Sequence, residues 1–165
     1  MCIFEKIKGW LFPRLDDEER NRILRILSDY EDDLSRHEEQ YVTFSDRQAF
    51  VAKWSPKVEE IKAVRIPKRD AVKEPVQAFL GAYKGIDSTF SGMNEKFIQR
   101  ESNRCDALLS DIDGKSLDPQ QRTAVICNED RNLVLAGAGS GKTLTISGKV
   151  KYLCAEKGVD PEDIL

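Results

Sequence analysis

A chain of 165 residues is long enough for one ordinary domain, or for a small domain and part of another. Its 40% apolar and 33% charged residues fit a soluble, helix-rich protein with a modest core. The formal net charge of −3 excludes a basic field spread over the whole chain, so any nucleic-acid contact has to be local or made by other parts.

The opening Met-Cys-Ile-Phe-Glu-Lys-Ile-Lys-Gly-Trp-Leu-Phe-Pro is interrupted by Glu5, Lys6 and Lys8, so it lacks the apolar centre of a secretory signal. Ile3, Phe4, Ile7, Trp10 and Leu11 would share one face of a short helix. Docking on the rest of the protein is the favoured reading of that face, because so little apolar contact anchors weakly to a membrane. No stretch approaches the roughly 18 apolar residues of a membrane span. Cys2, Cys105, Cys127 and Cys154 are too scattered for a metal knuckle, even with the single His37. Reduced thiols in a cytoplasmic protein are the expectation.

Residues 1–115 read as a mainly helical region. A first helix is expected from Asp16, with Asp17, Glu18 and Glu19 at its positive end and Ile23, Ile26, Leu27, Tyr30 and Leu34 along one face. A second, capped by Ser45, carries Phe50, Val51, Trp54, Val58, Ile61 and Val64. Pro56 should kink or split it, and Pro67 ends it. A third is expected over about 70–84, with Gly85 as its stop, and a fourth as one run over about 86–111. The polar stretch Asp-Ile-Asp-Gly-Lys-Ser at 111–116 is the candidate boundary. Lys62, Arg65, Lys68, Arg69 and Lys73 form a basic run opposed only by Asp70. It reads either as wet surface or as a phosphate-backbone contact.

The chemistry lies in 116–165. Asp118 followed by Pro119 is a helix start, expected to run to Ile126. Residues 132–136 read Asn-Leu-Val-Leu-Ala, as expected of a strand buried on both faces. Residues 136–143 read Ala-Gly-Ala-Gly-Ser-Gly-Lys-Thr, and a helix follows to Lys157, stopped by Gly158. Strand, glycine loop, Gly-Lys-Thr and helix are the context of a phosphate loop. Gly137, Gly139 and Gly141 let the backbone turn its N–H groups inward as an anion nest, with Ala138 and Ser140 between them. Lys142 is placed for the β- and γ-phosphates, and the Thr143 hydroxyl for Mg²⁺. Ala136 stands where such loops usually open with glycine.

Leu-Asp-Pro-Gln-Gln-Arg-x-Ala-Val at 117–125, followed by this loop, resembles the start of superfamily 1 DNA helicases of the UvrD/Rep type. Within them it is most similar to the DNA helicase IV group, whose helical N-terminal extension leads into the same two motifs. The resemblance implies an α/β RecA-like ATP-binding domain beginning at 116, of which 165 residues would hold only the start. It implies ATP and Mg²⁺ as cofactors and DNA as partner, engaged mainly through parts not in this sequence. It implies that Gln121 reads the adenine edge and that Arg122 supports nucleotide binding. The resemblance is sharp over 117–165 only, and no functional residue is carried into 1–110. A fragment without turnover, and with a poorly organised loop, is the expectation for the isolated chain. The alternative is a helical module for a protein or DNA partner with a vestigial nucleotide site. A kinase or GTPase is disfavoured by the motif around Gln121.

Overall fold

The computed structural model describes residues 15–164, and these are mainly helical. The expected N-terminal amphipathic helix and Cys2 lie outside the described residues. No helix among the described residues is long and apolar enough to cross a membrane. The helices are α1 (Asp17–Ser35), α2 (Phe44–Ala63), α3 (Lys73–Lys84), α4 (Ile86–Arg104), α5 (Asp106–Leu109), α6 (Pro119–Ile126) and α7 (Lys142–Lys157), followed by a 3-10 turn (Pro161–Asp163). They belong to two compact units. Among the described residues, one comprises 15–37 and Asp46–Phe90, the other Glu38–Ser45 and 91–164.

In the first unit, Asp16 caps α1 by accepting from the Glu19 N–H at 2.7 Å, as its position in the sequence implies. The faces expected of α1 and α2 close on one another through Ile23, Ile26, Leu27 and Tyr30 against Phe50, Trp54, Val58 and Ile61, all buried. Tyr30 is the hub. Its ring meets Phe50, Trp54 and Phe79 edge-on, with centroids 5.6, 5.1 and 4.9 Å away. Pro56 does not split α2. It is on the exposed side, where the carbonyl it leaves unbonded can face water while Trp54 and Val58 stay packed.

Among the described residues the buried Tyr30 hydroxyl has no hydrogen-bond partner, and burial pushes its pKa up to about 12. Tyr30→Phe removes this unsatisfied group and keeps the ring contacts. It is expected to leave stability unchanged or raise it by about 1 kcal/mol. Urea unfolding followed by Trp54 fluorescence reads this directly, and a loss of stability would show that the hydroxyl is in fact paired.

In the second unit, Asn94 straps the segment before α2. Its side chain accepts from the Val42 N–H at 2.8 Å and donates to the Val42 carbonyl at 2.9 Å, with both residues buried. The fourth expected helix is not one run. It breaks at Cys105, whose φ of −96° and ψ of 18° leave the α-helical region, and resumes as the single turn α5. The break lets Leu109, Ile112 and Leu117 fold back into a core with Phe97, Val125, Ile126 and Tyr152. The polar turn at 111–116 therefore lies within this unit, with Ile112 fully buried. Helix α7 lies on the same core through Gly148, where an added Cβ would come 2.9 Å from Leu117 Cδ1.

The expected strand at 132–136 is not formed, and no strand occurs among the described residues. Leu133 and Leu135 are 84% and 86% exposed, the reverse of burial on both faces. A strand needs a neighbouring backbone to bond with, and the described residues provide none. The RecA-like sheet expected from the resemblance is accordingly absent among them.

Candidate nucleotide-binding loop

Helix α6 begins with a complete capping box. The Asp118 side chain accepts from the Gln121 N–H at 2.9 Å, and the Gln121 Oε1 accepts from the Asp118 N–H at 3.0 Å. Pro119 occupies the first turn, where no N–H is needed. The other end of the Gln121 amide reaches the glycine loop, with Nε2 donating to the Ser140 carbonyl at 3.1 Å. A single side chain thus fixes both the start of α6 and the loop.

Gly139 and Gly141 have φ of 76° and 79°, the left-handed region that side chains disfavour. At Gly141 an added Cβ would also lie 2.5 Å from Gln121 Nε2, so that flexible side chain would have to move. Gly137 differs from the expectation for all three glycines. Its φ is not positive, and an added Cβ would meet open space. Side chains of the loop also bond to its own backbone. Ser140 Oγ donates to the Gly137 carbonyl at 2.8 Å, and Lys142 Nζ donates to the Ala136 and Gly137 carbonyls at 3.1 and 2.7 Å.

Helix α7 starts from Gly141 with no side-chain cap, so its first N–H groups and dipole are offered to the loop. A cavity of about 340 Å³ opens there, lined by Gln121, Ala124, Val134, Ala136, Lys142 and Thr145 among others. Among the described residues its only carboxylate is Asp118, already used as the cap. The donor set suits an anion: glycine backbone, an uncapped helix start and one ammonium. Thr143 is exposed in the first turn of α7. No group of three or more metal-ligating side chains occurs among the described residues.

Arg122 does not line this cavity. Its guanidinium donates to the Leu117 carbonyl at 3.0 Å, Asp106 at 2.6 Å and Ser110 Oγ at 2.8 Å, tying α6 to α5. Thr145 lines the cavity but did not stand out in the sequence. Its hydroxyl donates to the Gly141 carbonyl at 3.1 Å, one helical turn back, a spacing that could have flagged it. Lys149 was equally silent. Its half-buried ammonium donates to the Val125 and Cys127 carbonyls, both at 2.8 Å, and burial lowers its pKa. It thereby satisfies the end of α6 that precedes the loop segment.

Residues 117–165, the segment carrying this loop, match the family model described as the UvrD/REP helicase N-terminal domain. Among individual proteins, the chain is 47% identical over 49 residues to a probable DNA helicase of Mycoplasma pneumoniae, covering 30% of this chain and 9% of the relative. It is 46% identical over 54 residues to the ATP-dependent DNA helicase UvrD1 of Mycobacterium tuberculosis, covering 33% and 7%. It is 31% identical over 101 residues to DNA helicase IV of Escherichia coli, covering 61% and 15%. The chain thus spans a small fraction of the length of the relatives it matches. No solved structure matches it.

Proposed function

We propose that this chain contributes the ATP-phosphate-binding loop of an ATP-driven DNA helicase, a single-strand translocase. The observation that carries the reading is the glycine loop at the start of α7, with Lys142 held on its carbonyls beside Gln121. Bound ATP would supply the phosphoanhydride whose hydrolysis drives movement. The Gly137, Ala138, Gly139, Ser140 and Gly141 backbone would cradle its phosphates, and Lys142 would turn from the carbonyls to phosphate oxygens. The Thr143 hydroxyl would bind Mg²⁺. Gln121 would give up the Ser140 carbonyl to read the adenine edge, keeping its hold on α6. Arg122 acts at one remove, holding α6 so that Gln121 faces the loop.

Titration of a fluorescent ATP analogue into the protein tests this. Lys142→Ala is expected to weaken binding roughly 10- to 100-fold, the range for losing a charged hydrogen bond to phosphate. ATP is expected to compete better than GTP. Unchanged affinity in the variant would overturn the reading. No turnover is expected of the 165 residues alone, since among the described residues the only carboxylate at the cavity is committed to the helix cap.

A further inference from the structure

We infer that Glu129 and Asp130 are positioning residues for the glycine loop, holding the segment that leads into it on the first backbone N–H groups of α2; this rests on the nucleotide reading above. Residues 127–131 leave the end of α6 and enter the apolar run before the loop. Glu129 Oε1 accepts a hydrogen bond from the Phe44 N–H, and Asp130 Oδ2 accepts from the Ser45 N–H at 2.8 Å. The Ser45 hydroxyl also donates to Asp130. With that N–H it holds the Asp130 carboxyl below the usual carboxylate range, and the Thr43 hydroxyl adds to the effect. The Tyr41 hydroxyl donates to Glu129 Oε2 at 3.4 Å. Residues 41–45 and 127–131 all belong to the second unit.

The first N–H groups of a helix have no partner within it and favour negative charge. A side chain just before the helix usually answers them. Here two carboxylates, each 85 residues further along the chain, do so. Ser45, expected from the sequence to be the cap, lies instead within the first turn of α2 and is itself bonded to Asp130. The arrangement satisfies the start of α2. Equally, it fixes where residues 129 and 130 stand.

The glycine loop depends on that anchor because its two ends are held differently. Downstream, Gln121 bonds the Ser140 carbonyl, and Lys142 bonds the Ala136 and Gly137 carbonyls. Upstream, no strand holds residues 132–136 among the described residues, and Leu133 and Leu135 are exposed. Asn132 reaches back, its Nδ2 donating to the Glu129 carbonyl at 3.3 Å. Residues 129 and 130 therefore mark where the loosely held stretch begins. Fixing both ends of such a stretch narrows the freedom it must give up when a phosphate orders it. The negative charge of the pair does not help a polyanion bind. Removing that charge alone can only leave nucleotide affinity unchanged or raise it.

The test is titration of the fluorescent ATP analogue into the 165-residue protein, together with the rate at which iodoacetamide labels Cys127, read by mass spectrometry of its peptide. The Cys127 thiol lies 3.1 Å from the Tyr41 hydroxyl and 3.4 Å from Asn132 Oδ1, so its labelling reports whether the segment stays seated. Glu129→Ala/Asp130→Ala is expected to bind the analogue about three- to tenfold more weakly. Its Cys127 is expected to label at least about threefold faster. Glu129→Gln/Asp130→Asn loses the same charge but keeps acceptor oxygens, and is expected to recover most of both losses. Adding Thr43→Asp to the alanine pair gives α2 a local cap and serves if that pair misfolds by circular dichroism. Affinity and labelling are expected to stay altered in it, because the segment is still released. Parent-like labelling of Cys127 in the alanine variant that folds would overturn the proposal. So would unchanged or raised affinity in that variant, where binding by the parent depends on Lys142, or a Gln/Asn variant as impaired as the alanine one. The Lys142→Ala protein separates the two readings. It is expected to lose affinity and keep parent-like labelling. If it binds the analogue as the parent does, the nucleotide reading fails, and the labelling rate still decides whether the pair seats the segment.

Discussion

Tyr152→Ala is expected to destabilise the second unit by about 3–5 kcal/mol, the range for deleting a fully buried aromatic ring. Tyr152 has no exposed surface and packs with Phe97, Leu109, Val125 and Ile126. Its hydroxyl donates to Glu101 Oε2 at 2.9 Å, joining α7 to α4. Truncation would empty the ring site and leave a buried carboxylate short of a donor. Tyr152→Phe separates the two effects. It keeps the ring and removes only the hydrogen bond to a charged group, expected to cost about 1.5–3 kcal/mol. Urea unfolding followed by circular dichroism measures both. A phenylalanine variant as stable as the parent would show that the ring alone matters.

The second large effect is acid sensitivity centred on Glu101. The Arg104 guanidinium, bonded to it at 3.0 and 2.9 Å, holds its carboxyl at a pKa of about 2 despite burial, which acts in the opposite direction. The Tyr152 hydroxyl and Lys157 add to the lowering. The folded pKa lies below the value of about 4.5 for an unperturbed glutamate, so the unfolded state binds the proton first. The stabilisation is then complete above about pH 5 and is lost as pH falls toward 2, amounting to roughly 3 kcal/mol at most. Other carboxylates, Asp33, Asp70, Asp106, Asp113 and Asp130, also have lowered pKa values, so acid unfolding of the parent alone would not isolate Glu101. The informative quantity is the stability difference between the parent and Glu101→Gln. It should be large at pH 7 and shrink steadily below pH 5. A difference independent of pH would mean that the network does not depend on the charge.

Much of this was legible in the sequence wherever the signal was local. Asp16 and the spacing of Ile23, Ile26, Leu27 and Tyr30 marked α1, and Asp118 with Pro119 marked α6. The glycine loop was legible for the same reason, since Gly139, Gly141 and Lys142 act within a few residues of one another. Features that depend on distant partners were not. Helical periodicity carries straight through Cys105, and only the folding back of Leu109, Ile112 and Leu117 explains the break. The apolar run at 132–136 has the composition of a buried strand, but composition cannot provide the neighbour that a strand requires. Glu101, Asn94 and Arg122 look like ordinary polar positions on helices. Their partners Tyr152, Val42 and Asp106 lie 51, 52 and 16 residues away, beyond any periodicity argument.

The posture of Lys142 bears on how a nucleotide would be taken up. Its ammonium already has oxygen ligands, the carbonyls of Ala136 and Gly137. Entry of a phosphate is then a ligand exchange at one nitrogen and not the capture of an anion by a bare cation. Two carbonyls would have to find water as phosphate oxygens take their place. The affinity that results is a difference between two coordination states of the same side chain. Removing Lys142 would therefore cost the phosphate contact and also the two ties that hold the empty loop in shape.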